Sequence, residues 1–135
     1  MDNQKKMDEM LNKKVWAVVG ATANQGKTGN RIYHTLKSEG YETYAVNPNY
    51  TEMDDGSKCY ASLEDLPQVP DCVDFVVPPE VTLKSLEEMD PEVNPYIWLQ
   101  PGTYDDEIIE YAEKKGFKVV HNGACVMVAA RLRGY

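Results

Sequence analysis

The sequence predicts an α/β fold: a doubly wound parallel sheet of five strands with helices on both faces. Three observations carry this. Five short apolar runs recur along the chain, at 15–19, 42–46, 72–77, 96–99 and 117–121. Between most of them lie segments whose apolar residues fall three and four apart, the period of a helix. The connections are too long for hairpins, and strands alternating with helices pair in parallel through right-handed crossovers.

The elements follow in order. Residues 1–14 are polar and charged, with Met7, Met10 and Leu11 at helical spacing, and predict a short amphipathic extension packed on a single domain spanning 1–135. Val15 to Val19 is the first strand and ends at Gly20. A loop of small and polar residues leads to a helix from Gly29 to Glu39, with Ile32 and Leu36 on one face and Gly40 as its stop signal. Glu42 to Val46 is the second strand, broken by Pro48, which has no N–H for a ladder. Residues 50–60 read as a loop containing Asp54-Asp55-Gly56. Ser62 to Leu66 reads as a helical turn, with Ser62 as its cap and Asp65 at the third position. Cys72 to Val77 is the third strand, stopped by Pro78-Pro79, and Pro79 or Glu80 opens a helix carrying Leu83, Leu86 and Met89 inward. Tyr96 to Leu99 is the fourth strand. Thr103 is placed to cap the next helix, with Asp106 three residues on, and Gly116 ends it. Phe117 to His121 is the fifth strand, and a last helix takes Cys125 to Arg133.

Composition narrows the function. A chain of 135 residues, 42% hydrophobic and 27% charged, has the balance of one globular domain. A net charge of −8 argues against nucleic acid, whose binders carry basic patches. It leaves room for a phosphorylated small molecule, which needs only a few local donors. Cys59, Cys72 and Cys125 are an odd, widely spaced set, as free thiols in a reducing compartment would be, and no pair has metal-ligand spacing. No signal peptide and no apolar run near membrane-spanning length are visible, so a cytoplasmic protein without a membrane partner is expected.

The chemistry concentrates at the end of the first strand. A strand, a loop and a helix N-terminus form the unit that cradles phosphate with backbone N–H groups and the helix dipole. The loop fits two codes. Ala21 to Thr28 is one residue from a P-loop, with Ala21 where the first glycine should stand; Lys27 would then meet phosphates and Thr28 magnesium. The strands ending at Val77 and Leu99 offer no second carboxylate for the metal. A dinucleotide oxidoreductase would need a second glycine where Thr22 stands, and an acid where Asn47 ends the second strand. Both departures count against it, though an NAD(P)-binding or P-loop hydrolase domain stays as the alternative.

In an open parallel sheet, ligands bind beyond the carboxyl ends of the strands, at the switch point. Four pieces share that rim: Gly20-Ala21-Thr22-Ala23, Asn47-Pro48-Asn49, Pro78-Pro79 and Gln100-Pro101-Gly102. Together with Gly40-Tyr41, Ser62 to Pro67, Val73-Asp74 and Trp98-Leu99, their order and spacing from about Val15 to Val120 resemble the small single-domain CoA-binding proteins. They are also similar to the amino-terminal domain of the succinyl-CoA synthetase alpha subunit. The resemblance implies a Rossmann-like domain that holds coenzyme A and has no catalytic residues or metal of its own.

Carried over by position, Gly20, Ala21, Thr22 and Ala23, with Gly29 and Asn30 at the helix start, would meet phosphates. Asn47, Pro48 and Asn49 would flank the adenosine end. Val77 and Pro78 would pack on the nucleotide or the pantetheine arm, and Gln100, Pro101 and Gly102 would line the crevice at the fourth strand. The family often has a basic residue after Asn-Pro. Here Asn49 and Tyr50 stand there, leaving Lys27 and Arg31 as the nearest cations. The family's tail commonly continues Cys-Pro-Lys, whereas here Val126 and Met127 follow Cys125.

The remaining conspicuous residues have plainer readings. Cys125 is expected to be a buried helix thiol, and His121 is a lone histidine without a nucleophile beside it. His34 reads as solvated. Asp105, Asp106 and Glu107 favour the positive end of a helix dipole. Trp16 and Trp98 read as core, the latter with a place beneath the crevice as an alternative. The expectation is a binder of CoA or acyl-CoA acting as carrier, sensor or regulatory subunit, or a scaffold whose site has decayed. The sheet end and the N-terminal helix are the surfaces on which a protein partner or a second copy would dock.

Overall fold

The apolar run Val15–Val19 forms the central strand β1, paired in parallel with β2 (Glu42–Val46) on one side and β4 (Cys72–Phe75) on the other. The computed structural model describes residues 3–121 and 125–133. Outside the central three lie β3 (Cys59–Tyr60), next to β2, then β5 (Tyr96–Leu99) and β6 (Lys118–Val120). The order is β3-β2-β1-β4-β5-β6, and every pairing is parallel.

The sheet therefore has six strands where the sequence predicts five. The extra strand lies inside the stretch read as a loop. Two residues are too few to show the alternation that marks a strand. It is held by the Asn47 N–H on the Tyr60 carbonyl at 2.8 Å and the Cys59 N–H on the Thr51 carbonyl at 3.0 Å.

Helices cover both faces. On one lie α1 (Asn3–Leu11), α2 (Thr28–Ser38) and α5 (Val126–Arg133). Met10, Ile32, Leu36 and Val126 pack there on Trp16, Val18, Ala45 and Trp98. On the other lie α3 (Pro79–Glu88) and α4 (Asp106–Lys115), whose Leu86, Ile108 and Ala112 pack on Ala17, Val73, Phe75, Ile97 and Val119. Neighbours along β1 fall into opposite layers, as strand geometry requires. Trp98 packs in the layer with Trp16, their ring centroids 6.1 Å apart.

Asp74 shares the first layer, in register with Val18 and Trp98. Its carboxyl is fully buried, and neither oxygen has a hydrogen-bond partner among the described residues.

Local signals were kept or displaced for identifiable reasons. Gly116 ends α4 at φ 113°, as its position predicts. The cap of α4 is Asp105, which accepts the Ile108 N–H at 2.9 Å. Thr103 instead turns its hydroxyl to the Gln100 carbonyl at 2.7 Å, a nearer acceptor in the same turn. The turn after β3 is a 3₁₀ helix, Leu63–Asp65, where the Ser62 hydroxyl meets the Asp65 carboxylate at 3.0 Å. The strand predicted to reach Val77 ends at Phe75, and Val76 and Val77 turn out to form part of the rim. Among the described residues, no helix is long and apolar enough to cross a membrane.

Candidate functional site

Residues 61–70 cross over the face that carries α3, leaving a gap between that segment and the helix. Their gap opens as a groove of about 1390 Å³ above the ends of β1 and β2. This is the switch point of the sheet, where β2 and β4 flank β1 on opposite sides.

The floor at the end of β1 admits only glycine. Gly20 has φ 101°, and a Cβ there would collide with the Val76 carbonyl and come within 2.8 Å of Val77 Cγ1. A Cβ on Gly29 would fall on the Gly20 carbonyl. The two glycines thus let the first turn of α2 sit directly on the end of β1. Lys27 is the N-cap of α2 and makes no side-chain capping bond. The first-turn N–H groups of a helix have no partner within it, so they offer donors at the groove wall.

The loop is shaped by its own polar residues. Thr22 Oγ1 accepts the Asn24 N–H at 3.1 Å, and Asn24 Oδ1 accepts the Gly26 N–H at 3.0 Å. Asn30, 4% exposed, donates from Nδ2 to the Thr22 carbonyl and to Asp54 Oδ1, both at 2.9 Å. Asn47 donates to the Ala21 carbonyl at 2.9 Å and accepts the Asn49 N–H at 2.9 Å. Asn30 and Asn47 are therefore positioning residues whose amides are committed to the loop.

The turn at 51–58 is clamped to α2. Asp54 meets His34 Nε2 at 2.9 Å, and Asp55 accepts from Lys37 at 2.9 Å and from the Ser57 N–H at 3.0 Å. The His34 bond holds the Asp54 carboxyl below its ordinary value. Burial would raise Asp55, but the bonds from Lys37 and Ser57 outweigh it and hold it well below the carboxylate range. Lys37 is lowered by burial and raised further by Asp55, with a net rise. A carboxylate with a depressed folded value stabilises above its unfolded value and loses that stabilisation as pH falls through the folded one. The stabilisation should therefore begin to fall below about 3.8, and acid well below that should free this turn. Hydrogen exchange at the Met53 and Cys59 amides, both tied into the turn, should speed up there, and Asp55→Asn should speed it at neutral pH. Equal exchange in the variant would show that the clamp holds nothing.

Of the residues predicted for the site, Gly20, Thr22, Lys27, Gly29, Asn47, Pro48, Asn49, Val77 and Pro78 line the groove. Ala21 is buried in the core, and Ala23, Asn30 and Arg31 lie outside the lining. Gln100, Pro101 and Gly102 also lie outside it. Gln100 is 3% exposed and turned toward α5, where Oε1 accepts the Val126 N–H at 3.1 Å and Nε2 approaches Cys125 Sγ at 3.6 Å.

The groove adds residues that were not predicted for the site: Tyr50, Leu63, Leu66, Val81, Lys84 and Ser85 among them. The outward residues of α3 carried no motif, although Pro78-Pro79 announced the helix. The three cysteines are unpaired, and burial pushes the Cys59 and Cys72 thiols up. Among the described residues, no group of three or more His, Cys, Asp or Glu could hold a metal ion.

A parallel α/β sheet with an uncapped helix N-terminus opening on a partly apolar groove at its switch point defines a Rossmann-like domain suited to a nucleotide. The family model for the CoA binding domain matches residues 14–131, and the chain belongs to that family. It is 33% identical over 124 residues to acetate–CoA ligase (ADP-forming) I of Archaeoglobus fulgidus, covering 84% of this chain but 18% of the ligase. The chain thus spans less than a fifth of that curated relative. Among solved structures it is similar to a conserved hypothetical protein of Pyrococcus furiosus: TM-score 0.78, 42% identity, over 85% of this chain and 97% of that one. A hypothetical protein of Pyrococcus horikoshii aligns with TM-score 0.86 at 30% identity, over 98% of this chain and 92% of that one.

Proposed function

We propose that this chain binds coenzyme A or an acyl-CoA in the groove and presents it without turning it over, as a carrier, sensor or regulatory subunit. The observation that carries this reading is the free N-terminus of α2, with Lys27 beside it, opening on apolar walls of Leu63, Leu66, Val77 and Val81. The dipole, the N–H groups and the lysine suit a pyrophosphate. The walls suit a base or a pantetheine arm. Family membership supports the same ligand. The committed amide of Asn47 at the end of β2 supports CoA over a dinucleotide held through a ribose carboxylate.

The test is a calorimetric titration of the ligand-stripped protein with CoA, NAD and Mg-ATP. Saturable heat with CoA and no phosphate release from ATP is expected. Heat with NAD alone, or turnover of Mg-ATP, would overturn the reading. Silence with all three would favour a decayed scaffold. Lys27→Ala should weaken CoA binding by about 1.5–3 kcal/mol, the worth of a charged hydrogen bond. Arg31→Ala, exposed and outside the groove lining, should leave it unchanged.

A further inference from the structure

Resting on that CoA reading, we infer that Lys84 on α3 recognises the ribose 3′-phosphate and sets the preference for CoA over dephospho-CoA. CoA carries two separate clusters of negative charge, the pyrophosphate and the 3′-phosphomonoester. The N-terminus of α2 and Lys27 can neutralise only one. The other needs a cation elsewhere in the groove. The sequence after Pro48 does not supply one, because Asn49 and Tyr50 stand there.

The lysine inventory points to α3. Most lysines are engaged: Lys6 with the Val119 carbonyl, Lys37 with Asp55, Lys114 with Glu110, and Lys115 with the Leu86 carbonyl. Lys13, Lys58 and Lys118 lie over tyrosine rings. Among the described residues, Lys14, Lys27 and Lys84 have ammonium groups with no partner, and of these Lys27 and Lys84 line the groove. In a chain of net charge −8, two unneutralised ammonium groups lining one groove match a ligand with two anionic centres.

The surroundings of Lys84 fix where the phosphate goes. Ser85, next in the chain, also lines the groove, and its hydroxyl has no partner among the described residues, so it can donate to a phosphate oxygen. Glu88, one turn further on, lines the groove without pairing with Lys84. Its charge repels a phosphate beyond the level of Lys84. Val77 and Val81 line the same groove and offer apolar surface on which the adenosine can pack.

The experiment measures the affinity of the full chain for CoA and for dephospho-CoA. The wild type should prefer CoA by roughly tenfold or more, the scale of a charge-assisted bond. Lys84→Ala should lower CoA affinity by about tenfold and leave dephospho-CoA unchanged, so the preference collapses. Lys84→Arg should retain the preference. Lys27→Ala should weaken both ligands equally. Equal loss of both ligands in Lys84→Ala, or an unchanged preference, would overturn the assignment. If wild type binds neither ligand, the CoA reading itself falls and this assignment with it. Lys84 is exposed, so the variant should fold and melt like wild type.

Discussion

Gly20→Ala should remove CoA binding and cost the fold several kcal/mol. The residue sits at φ 101°, where a side chain is strained by about 1–2 kcal/mol. A Cβ there would also strike the Val76 carbonyl, a backbone atom that cannot swing aside. Relieving such overpacking costs about 1–3 kcal/mol more. The displaced segment is the rim itself, with Val76 and Val77 in the groove lining. Stability and binding should therefore fall together. Gly29→Ala should do the same from the other side, because its Cβ would meet the Gly20 carbonyl. Gly26→Ala is the control: its nearest contact would be Asn24 Oδ1 at 3.4 Å, and its melting temperature should stay near wild type. Chemical denaturation with CoA titration checks all three. A Gly20→Ala protein as stable as wild type would refute the close approach.

Asp74→Asn should gain stability relative to wild type as pH rises above about 5. Burial, with a smaller contribution from Cys125, pushes the Asp74 carboxyl well above its ordinary value. Below about 3.8 the folded and unfolded chains both hold this proton, so Asp74 contributes no pH dependence. Above that, the unfolded chain ionises while the folded chain stays protonated. Stability then falls as pH rises, by up to about 1.4 kcal/mol per pH unit, until the folded value is passed. Asparagine keeps the shape and cannot ionise. The variant should gain more than about 1 kcal/mol over wild type between pH 5 and 8. Parallel pH profiles for the two proteins would show that Asp74 ionises freely in the fold. The window is separate from that of Asp54 and Asp55, whose stabilisation is lost only on the acid side of 3.8.

The sheet was legible wherever a strand was long enough to show its pattern. Val15–Val19, Glu42–Val46 and Tyr96–Leu99 match the apolar runs, because parallel strands buried on both faces read as continuous hydrophobic stretches. Cys59–Tyr60 was not legible: two residues show no alternation, and the turn before them is held to α2 by Asp54 and Asp55 contacts that join residues about twenty positions apart. The groove lining at the α2 N-terminus was legible through Gly20, Lys27 and Gly29, since a strand–loop–helix turn has a local signature. The lining from α3 was not, because Val81, Lys84 and Ser85 look like the outer face of any amphipathic helix. Gln100 lies outside that groove. A polar residue at a strand end suggests a ligand, but here its amide satisfies the first N–H of α5.

The central claim is that the ligand's pyrophosphate lies on the N-terminus of α2. Amide chemical shifts of the ¹⁵N-labelled protein, followed as CoA is added, test it most directly. The account predicts the largest shifts at Gly20, Thr28, Gly29 and Val77, moving together to one saturation point. Saturating shifts confined to Gln100, Gly102 and the start of α5, with Thr28 and Gly29 unmoved, would contradict it.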